Sequence, residues 1–228
     1  MKKVYAFVFA RGGSKGLPRK NLLPLGGIPL VARSIIIAKE VERVSKVFVS
    51  TEDPEIKKIA IDYGAEIIER PASLCLDDAR EWESWQHAID FLEGHGDKFD
   101  VFLSLPATSP LRSVEDVNNT LDCLDTGADV ALTVSPAARS PYFNMVERLE
   151  SGETKLAISS EGYYRRQDVP PMYDLTTVAY ALQTDFIVKS QKIFDGRVKS
   201  VIVPKERAVD IDDIYDFKFA QMILQEAL

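Results

Sequence analysis

Val4-Tyr5-Ala6-Phe7-Val8-Phe9-Ala10-Arg11-Gly12-Gly13-Ser14-Lys15-Gly16-Leu17-Pro18-Arg19-Lys20-Asn21 is the stretch that decides the fold. Its first six residues are apolar or aromatic without a break, as a strand buried on both faces requires. The strand empties into a loop with three glycines, Gly12, Gly13 and Gly16, whose lack of a Cβ allows a sharp turn and a close approach to a ligand. Four cations, Arg11, Lys15, Arg19 and Lys20, share that loop. A strand running into a cationic, glycine-rich loop is what a polyphosphate site at the carboxyl end of a parallel sheet needs. Arg11, Lys15 and Lys20 are the candidates to hold phosphates, with the Ser14 hydroxyl and the amides of Gly12 and Gly13 completing the cradle. The spacing is neither the Walker A pattern nor the dinucleotide fingerprint. A solvated basic turn is the competing reading of the loop taken alone.

Working outward, apolar runs at 4–9, 46–50, 66–68, 101–105, 130–134, 178–182 and 198–203 predict strands. Helical patterns at 29–40, 54–63, 78–92, 114–124 and 213–227 lie among them. The last helix is expected to turn Ile214, Phe217, Ala220 or Met222, and Leu224 toward the core. Strand–helix alternation predicts a three-layer α/β/α, Rossmann-like sandwich with a mostly parallel sheet and right-handed crossovers. At 228 residues, one domain spanning 1–228 is expected. The alternation breaks at 135–175, which holds Pro136, Pro141, Pro170, Pro171 and the aromatics Tyr142, Phe143, Tyr163, Tyr164 and Tyr173. A structureless insert of that length is improbable in a compact domain, so this arm is expected to pack on something.

The composition, 46% hydrophobic and 28% charged, is that of a soluble globular protein. A formal net charge of −7 argues against a general nucleic-acid or membrane binder and makes the Arg11–Lys20 loop a local positive island. The apolar run before Arg11 is too short for a signal peptide, and no segment reaches a membrane span. Cys75 and Cys123 lie far apart with no His or Cys at ligand spacing, so neither zinc nor a disulfide framework is expected. A cytoplasmic protein is the resulting expectation.

Val209-Asp210-Ile211-Asp212-Asp213 alternates, and in an extended chain Asp210 and Asp212 would project on one face. Two carboxylates with phosphate oxygens and water suit Mg²⁺ or Mn²⁺. The alternative is that Asp213, or Asp212 in part, caps the following helix. His87 and His95 carry no catalytic expectation, and Trp82 and Trp85 read as packing residues of an amphipathic helix.

The Phe9–Asn21 loop resembles the signature of the CMP-sialic acid synthetase (acylneuraminate cytidylyltransferase) family. Ser50-Thr51-Glu52-Asp53, Arg70-Pro71-Ala72, Ala107-Thr108-Ser109-Pro110-Leu111-Arg112, Arg166-Gln167-Asp168 and Asp210-Ile211-Asp212 follow in the family's order and near its spacing. Each short motif is weak alone, but the ordered set covers nearly the whole chain. The resemblance implies transfer of CMP from CTP to the anomeric hydroxyl of a nonulosonic (sialic-acid-like) or related 3-deoxy-ulosonic acid, with release of pyrophosphate. It points most firmly at Arg11 and Lys20 for the triphosphate, and it strengthens Asp210 and Asp212 as the metal pair. Ala10, Asn21, Arg70 and Ala79 match positions that contact cytosine. Thr108, Ser109, Arg165, Arg166, Gln167 and Asp174 match the acceptor side. The arm corresponds to a segment that exchanges with a second subunit, which implies a homodimer.

The chain departs from the family at Pro106, where a Gln is common, at Glu81, where a small hydroxyl residue is common, and at Asp174, near a position that usually holds Arg. Asp174 would repel an acidic sugar unless Arg165 or Arg166 compensates, so the acceptor can differ from N-acetylneuraminate. A same-fold nucleotidyltransferase using another triphosphate or a sugar 1-phosphate is the alternative enzyme. A catalytically silent nucleotide-binding subunit is the alternative from another class.

Overall fold

Seven strands build the central sheet in a computed structural model that describes residues 2–13, 16–76 and 79–226. In chain order the elements are β1 (Val4–Phe9), β2 (Pro24–Leu25), β3 (Ile28–Pro29), α1 (Leu30–Glu40), β4 (Val44–Thr51), α2 (Pro54–Asp62) and β5 (Glu66–Glu69). They continue with α3 (Glu81–Gly94), β6 (Val101–Ser104), α4 (Val114–Asp125), β7 (Val130–Pro136), β8 (Val146–Arg148) and β9 (Thr154–Leu156). The chain ends with β10 (Tyr173–Gln183), α5 (Thr184–Lys189), β11 (Val198–Ile202) and α6 (Ile214–Glu226). Across the sheet the order is β11-β7-β10-β6-β1-β4-β5.

The alternation of β1 divides the core in two. Val4, Ala6 and Val8 face a layer made by α1, α2, α4 and α6, whereas Tyr5 and Phe7 face α3 and α5. This is the expected three-layer sandwich. Trp82 and Trp85 lie inside the second layer, 5.4 Å apart by ring centroid, as packing residues. Two helix starts show ordinary side-chain capping. Asp53 accepts the amides of Glu55 and Ile56 ahead of α2, and Ser113 and Asp116 form a reciprocal capping box on α4.

Two expectations need correction. The run predicted at 178–182 is the end of the longer strand β10, which is antiparallel to both of its neighbours, β6 and β7. The reason is topological: the chain leaves at the end of β7, makes the 135–175 excursion and returns beside itself. An out-and-back connection produces an antiparallel pair. On α6 Phe217, Ala220 and Leu224 face the core as expected, while Ile214 and Met222 are about half exposed (42% and 49%). The short helix α5 carries no periodic signal of its own and was not expected.

The arm is itself a small β unit. Strands β8 and β9 pair antiparallel, Tyr142 stacks edge-on against Tyr163, and the Ala137 amide donates to the Met172 carbonyl at its base. Met145, Val146, Ile158 and Tyr164 remain exposed on it.

At the opposite end of β1 from the glycine loop, Asp97 accepts from Lys3 Nζ (2.7 Å), Lys46 Nζ (2.6 Å) and Tyr5 OH (2.5 Å). These bonds, Lys3's foremost, hold the Asp97 carboxyl far below the usual carboxylate range. A depressed carboxyl stabilises the fold above its unfolded pKa of about 4, and that stability is lost as pH falls toward its folded value. Asp97→Asn is therefore expected to lower the unfolding temperature at pH 7, with the gap to the parent narrowing below about pH 4. A gap that is the same at pH 7 and pH 3 in thermal unfolding would contradict this.

Candidate active site

The carboxyl ends of β1, β5 and β6 open into a cavity of about 510 Å³. Arg11, Gly16, Lys20 and Asp212 line one part of it, and Asn21, Arg70 and Ala79 line it with Leu74, Leu76 and Phe9. Residues that are far apart in sequence but named by the same motifs thus converge on one pocket. Glu81 and Ser84, from the first turns of α3, also reach it, as does Thr108.

The loop is held in shape by acidic neighbours. The Gly12 amide donates to Glu52 Oε1 at 2.8 Å, and a Cβ on Gly12 would meet Asp53 Oδ2 at 2.5 Å. A Cβ on Gly16 would clash with the Asp212 carbonyl oxygen. Neither these glycines nor Gly13 has positive φ. Gly12 and Gly16 are therefore required by close approach of the protein's own chain, not by a left-handed turn. Arg19 does adopt that conformation (φ 53), and its guanidinium is spent on Asp53 and Glu55. Ser14 and Lys15 lie outside the described residues.

Lys20 starts a single 3₁₀ turn, and its ammonium donates to the Ile211 carbonyl (2.5 Å) and to Asp212 Oδ1 (3.1 Å). Asn21, almost fully buried, donates to the Arg11 carbonyl at 3.0 Å. Ala10 is buried, and its amide donates to the Ser50 carbonyl. Arg11 reaches across to the carbonyls of Cys75 and Leu76. Arg70 places its guanidinium carbon 5.4 Å from the centroid of the Phe9 ring, and its buried Nε has no hydrogen-bond partner among the described residues. Burial lowers the Arg70 pKa, with nearby Cys75 and Glu52 acting against the shift. A half-stacked guanidinium with an unused donor is poised to bind a planar polar group.

The 207–213 segment is not a strand, though its inside–outside alternation survives. Val209 and Ile211 are buried, the Ile211 amide donates to the Thr108 carbonyl at 2.8 Å, and Asp212 is 80% exposed in its side chain. Asp210 has a buried Oδ1 with no hydrogen-bond partner among the described residues. Helix α6 is capped by Asp213, which accepts the amides of Tyr215 and Asp216, while Asp216 accepts those of Asp212 and Asp213. The capping role thus falls to Asp213, which leaves the carboxylates of Asp210 and Asp212 for other work. Among the described residues no cluster of three His, Cys, Asp or Glu could hold a metal by itself. The donor set fits a divalent ion that takes one or two carboxylates and completes its shell with phosphate oxygens and water.

The acceptor residues divide. Thr108 lines the pocket, but Ser109 is fully buried and its hydroxyl is 2.5 Å from that of Thr177. Ser109, expected to touch the sugar, supports the loop from within instead. Thr177 belongs to an irregularity in β10, where the register against β7 slips between Thr176 and Tyr180. The Thr133 hydroxyl closes it by accepting from the Ala179 amide and from the Thr176 hydroxyl. Arg165, Gln167 and Asp174 are exposed on the arm, outside the lining of their own chain's cavity. Arg165 pairs with Asp168 through two bonds of 3.1 Å. The side chain of Arg166 is outside the described set.

Arg112 was named only as the end of the Ala107–Arg112 motif, with no role attached to it. Its buried guanidinium donates from Nε to the Val178 carbonyl (2.6 Å), from Nη1 to Ser34 Oγ (2.6 Å), and from Nη2 to the Pro106 and Thr177 carbonyls. Burial pushes its pKa down to about 9, with Asp210 and Asp116 the acidic groups that oppose the shift. One side chain thus ties α1, the loop after β6 and the β10 irregularity together beside Asp210. Glu52 was also missed as a loop-holding residue, and only its place in Ser50-Thr51-Glu52-Asp53 hinted at the role.

An α/β sandwich whose cationic loop, polar–aromatic pocket and acidic segment before α6 come together beyond the carboxyl ends of the strands defines a nucleotidyltransferase. Residues 5–226 match the protein family described as Cytidylyltransferase, and the chain belongs to that family. It is 31% identical over 229 residues to the post-translational flagellin modification protein B of Campylobacter coli, spanning 99% of this chain and 97% of that protein. To the CMP-N,N'-diacetyllegionaminic acid synthase of Campylobacter jejuni it is 30% identical, spanning 98% of this chain and 96% of that one. Among solved structures, a CMP:2-keto-3-deoxy-manno-octonic acid synthetase complexed with CTP shares the fold. Its TM-score is 0.72 at 17% identity, with 99% of this chain and 100% of that chain covered.

Replacing Arg112 by Met would leave several buried acceptors without donors, each costing about 1–3 kcal/mol. Arg112→Met is expected to destabilise the protein by roughly 3 kcal/mol or more in denaturant unfolding, with the slope unchanged. A loss under about 1 kcal/mol would mean that these carbonyls find other donors.

Proposed function

We propose that this cytidylyltransferase transfers CMP from CTP to the anomeric hydroxyl of a nonulosonic or related 3-deoxy-ulosonic acid. The observation that carries the reading is the convergence of Arg11, Lys20, Asn21, Arg70 and Asp212 on one cavity of nucleotide size. The full-length similarity to a CMP-N,N'-diacetyllegionaminic acid synthase supports the acceptor class. In the reaction the acceptor hydroxyl oxygen bonds to the α-phosphorus of CTP. The bond from that phosphorus to the bridging oxygen breaks, pyrophosphate leaves, and the hydroxyl proton passes to solvent or a base.

Lys20 and Arg11 hold the β and γ phosphates and stabilise charge on the leaving group, the kind of contribution fixed cations make best. Lys20 turns to them from Asp212 and the Ile211 carbonyl, and Lys15 and Ser14 join it in the loop. Arg70 and Asn21 address the base, with Ala10 and Ala79 contributing backbone groups. Asp210 and Asp212 would hold Mg²⁺ or Mn²⁺, which supplies Lewis-acid stabilisation at the reacting phosphate when bound. Thr108 faces the acceptor.

The arm completes the acceptor site of a second copy in a homodimer. What supports this is that Met145, Val146, Ile158 and Tyr164 are exposed on it, as are Arg165 and Gln167, and that among the described residues none from the arm lines the active-site cavity of its own chain. Arg165 and Arg166 would there offset Asp174 against an acidic sugar. Two free cysteines fit a reducing compartment, and the cytoplasm is the proposed location. Among the described residues no helix is long and apolar enough to cross a membrane.

Pyrophosphate release measured with CTP, UTP, ATP and GTP against a panel of acidic sugars tests the reaction. Turnover is expected with CTP, a divalent cation and at least one ulosonic acid, and use of only another triphosphate or a sugar 1-phosphate would replace this reading. Lys20→Ala is expected to reduce turnover by roughly 10²-fold, the scale of ~3 kcal/mol of transition-state stabilisation. Light scattering at micromolar concentration should report a dimer. A monomer that retains full activity would assign the arm to its own subunit.

A further inference from the structure

Two of the groups that the proposed reaction uses are bonded to each other. Lys20 Nζ donates to Asp212 Oδ1 at 3.1 Å and to the Ile211 carbonyl at 2.5 Å. A cation assigned to the triphosphate thus neutralises a carboxylate assigned to the metal. The two acids of that segment are therefore unlike. Asp210 keeps a buried Oδ1 without a partner among the described residues, whereas Asp212 is taken. Among the described residues Lys20 is the one cation paired with Asp212, and its side chain is only 13% exposed, so solvent screens the ammonium weakly.

The main chain is anchored on both sides of this pair. The Lys20 amide donates to the Leu17 carbonyl, and the Lys20 carbonyl accepts from the Leu23 amide. The Asp212 amide donates to Asp216 Oδ2, and the Ile211 amide donates to the Thr108 carbonyl. Side-chain rotation is enough to part the pair, with no loop having to move.

A carboxylate oxygen in contact with an ammonium does not also take a divalent cation there, because the two cations repel each other. A phosphate must likewise draw the ammonium away from its carboxylate before bonding to it. Each ligand removes an obstacle to the other. We infer that the Lys20–Asp212 pair is a latch that closes both groups until their ligands arrive, and that nucleotide and divalent ion bind with positive coupling through it. The inference rests on the nucleotide-transfer reading above and adds the regulation of that same site. Because such coupling is reciprocal, it is measurable from either side.

Mn²⁺ alone, followed by the spin-resonance signal of the free ion, probes one side, and CTP in EDTA, followed by calorimetry, probes the other. The proteins are the parent, Lys20→Met, Lys20→Gln, Asp212→Asn and the double variant Lys20→Met with Asp212→Asn, each checked for folding by unliganded thermal unfolding. Both Lys20 variants should bind Mn²⁺ about threefold or more tighter than the parent, the scale of one partly exposed ion pair. In the Asp212→Asn background Lys20→Met should not tighten Mn²⁺ binding. Asp212→Asn should bind metal-free CTP about threefold or more tighter than the parent, and this gain should vanish in the double variant. Mn²⁺ binding that is unchanged, weaker or absent in both Lys20 variants would overturn the inference. So would equal tightening with and without Asp212, because the lysine would then act by its charge at a distance. CTP binding in Asp212→Asn no tighter than in a parent that binds CTP would overturn it as well. If none of the proteins binds CTP, the cytidylyltransferase reading fails by itself, and the Mn²⁺ comparison alone decides the latch.

Discussion

A guanidinium buried among carbonyls organises this molecule around its pocket. Among the described residues no carboxylate is bonded to Arg112, and its donors are taken by Ser34, Pro106, Thr177 and Val178. A charge taken out of water is tolerated only when nearly every donor is satisfied. The helix, the loop and the irregular strand that supply those acceptors are thereby fixed relative to one another. Asp210 lies close enough to oppose the fall in the Arg112 pKa, so the same cation sets the electrostatic surroundings of a proposed metal ligand.

The phosphate loop is organised by the opposite arrangement, cations and glycines wrapped by acids. Glu52 holds the Gly12 amide, Asp53 leaves no room for a Cβ there, and the Asp212 main chain leaves none at Gly16. The loop is cationic on a protein of net charge −7 because its cations are answered at close range. Lys20 with Asp212 and Arg19 with Asp53 and Glu55 are such pairs. The two pairs differ in kind. Arg19 is locked by two acids into the scaffold, whereas Lys20 is held by one exposed carboxylate and one carbonyl at the cavity wall.

The arm and the irregularity in β10 come from one topological event. Because the chain returns from the arm directly beside β7, β10 runs against its neighbours and must pass the site it helps to form. The slipped register at Thr176–Tyr180 delivers Thr177 to Ser109 and two carbonyls to Arg112. Such irregularities re-aim side chains next to active sites elsewhere as well. Here it converts Ser109 from an expected ligand contact into a buried brace.

The amino-acid sequence alone determined β1 and its cationic loop, the alternation of strands and helices, the odd excursion at 135–175, and the acids at 210 and 212. Those features follow from how each segment must bury its own faces and from local charge, and both can be read along the chain. Tertiary structure decided what depends on partners distant in sequence. It set the direction of β10, the outward turn of Ile214 and Met222, the burial of Ser109, the hub at Arg112, and the delivery of Glu52 and Glu81 to the loop and the pocket. Periodicity records how much of a segment is buried but not which other segment buries it, and these residues take their roles from that second choice.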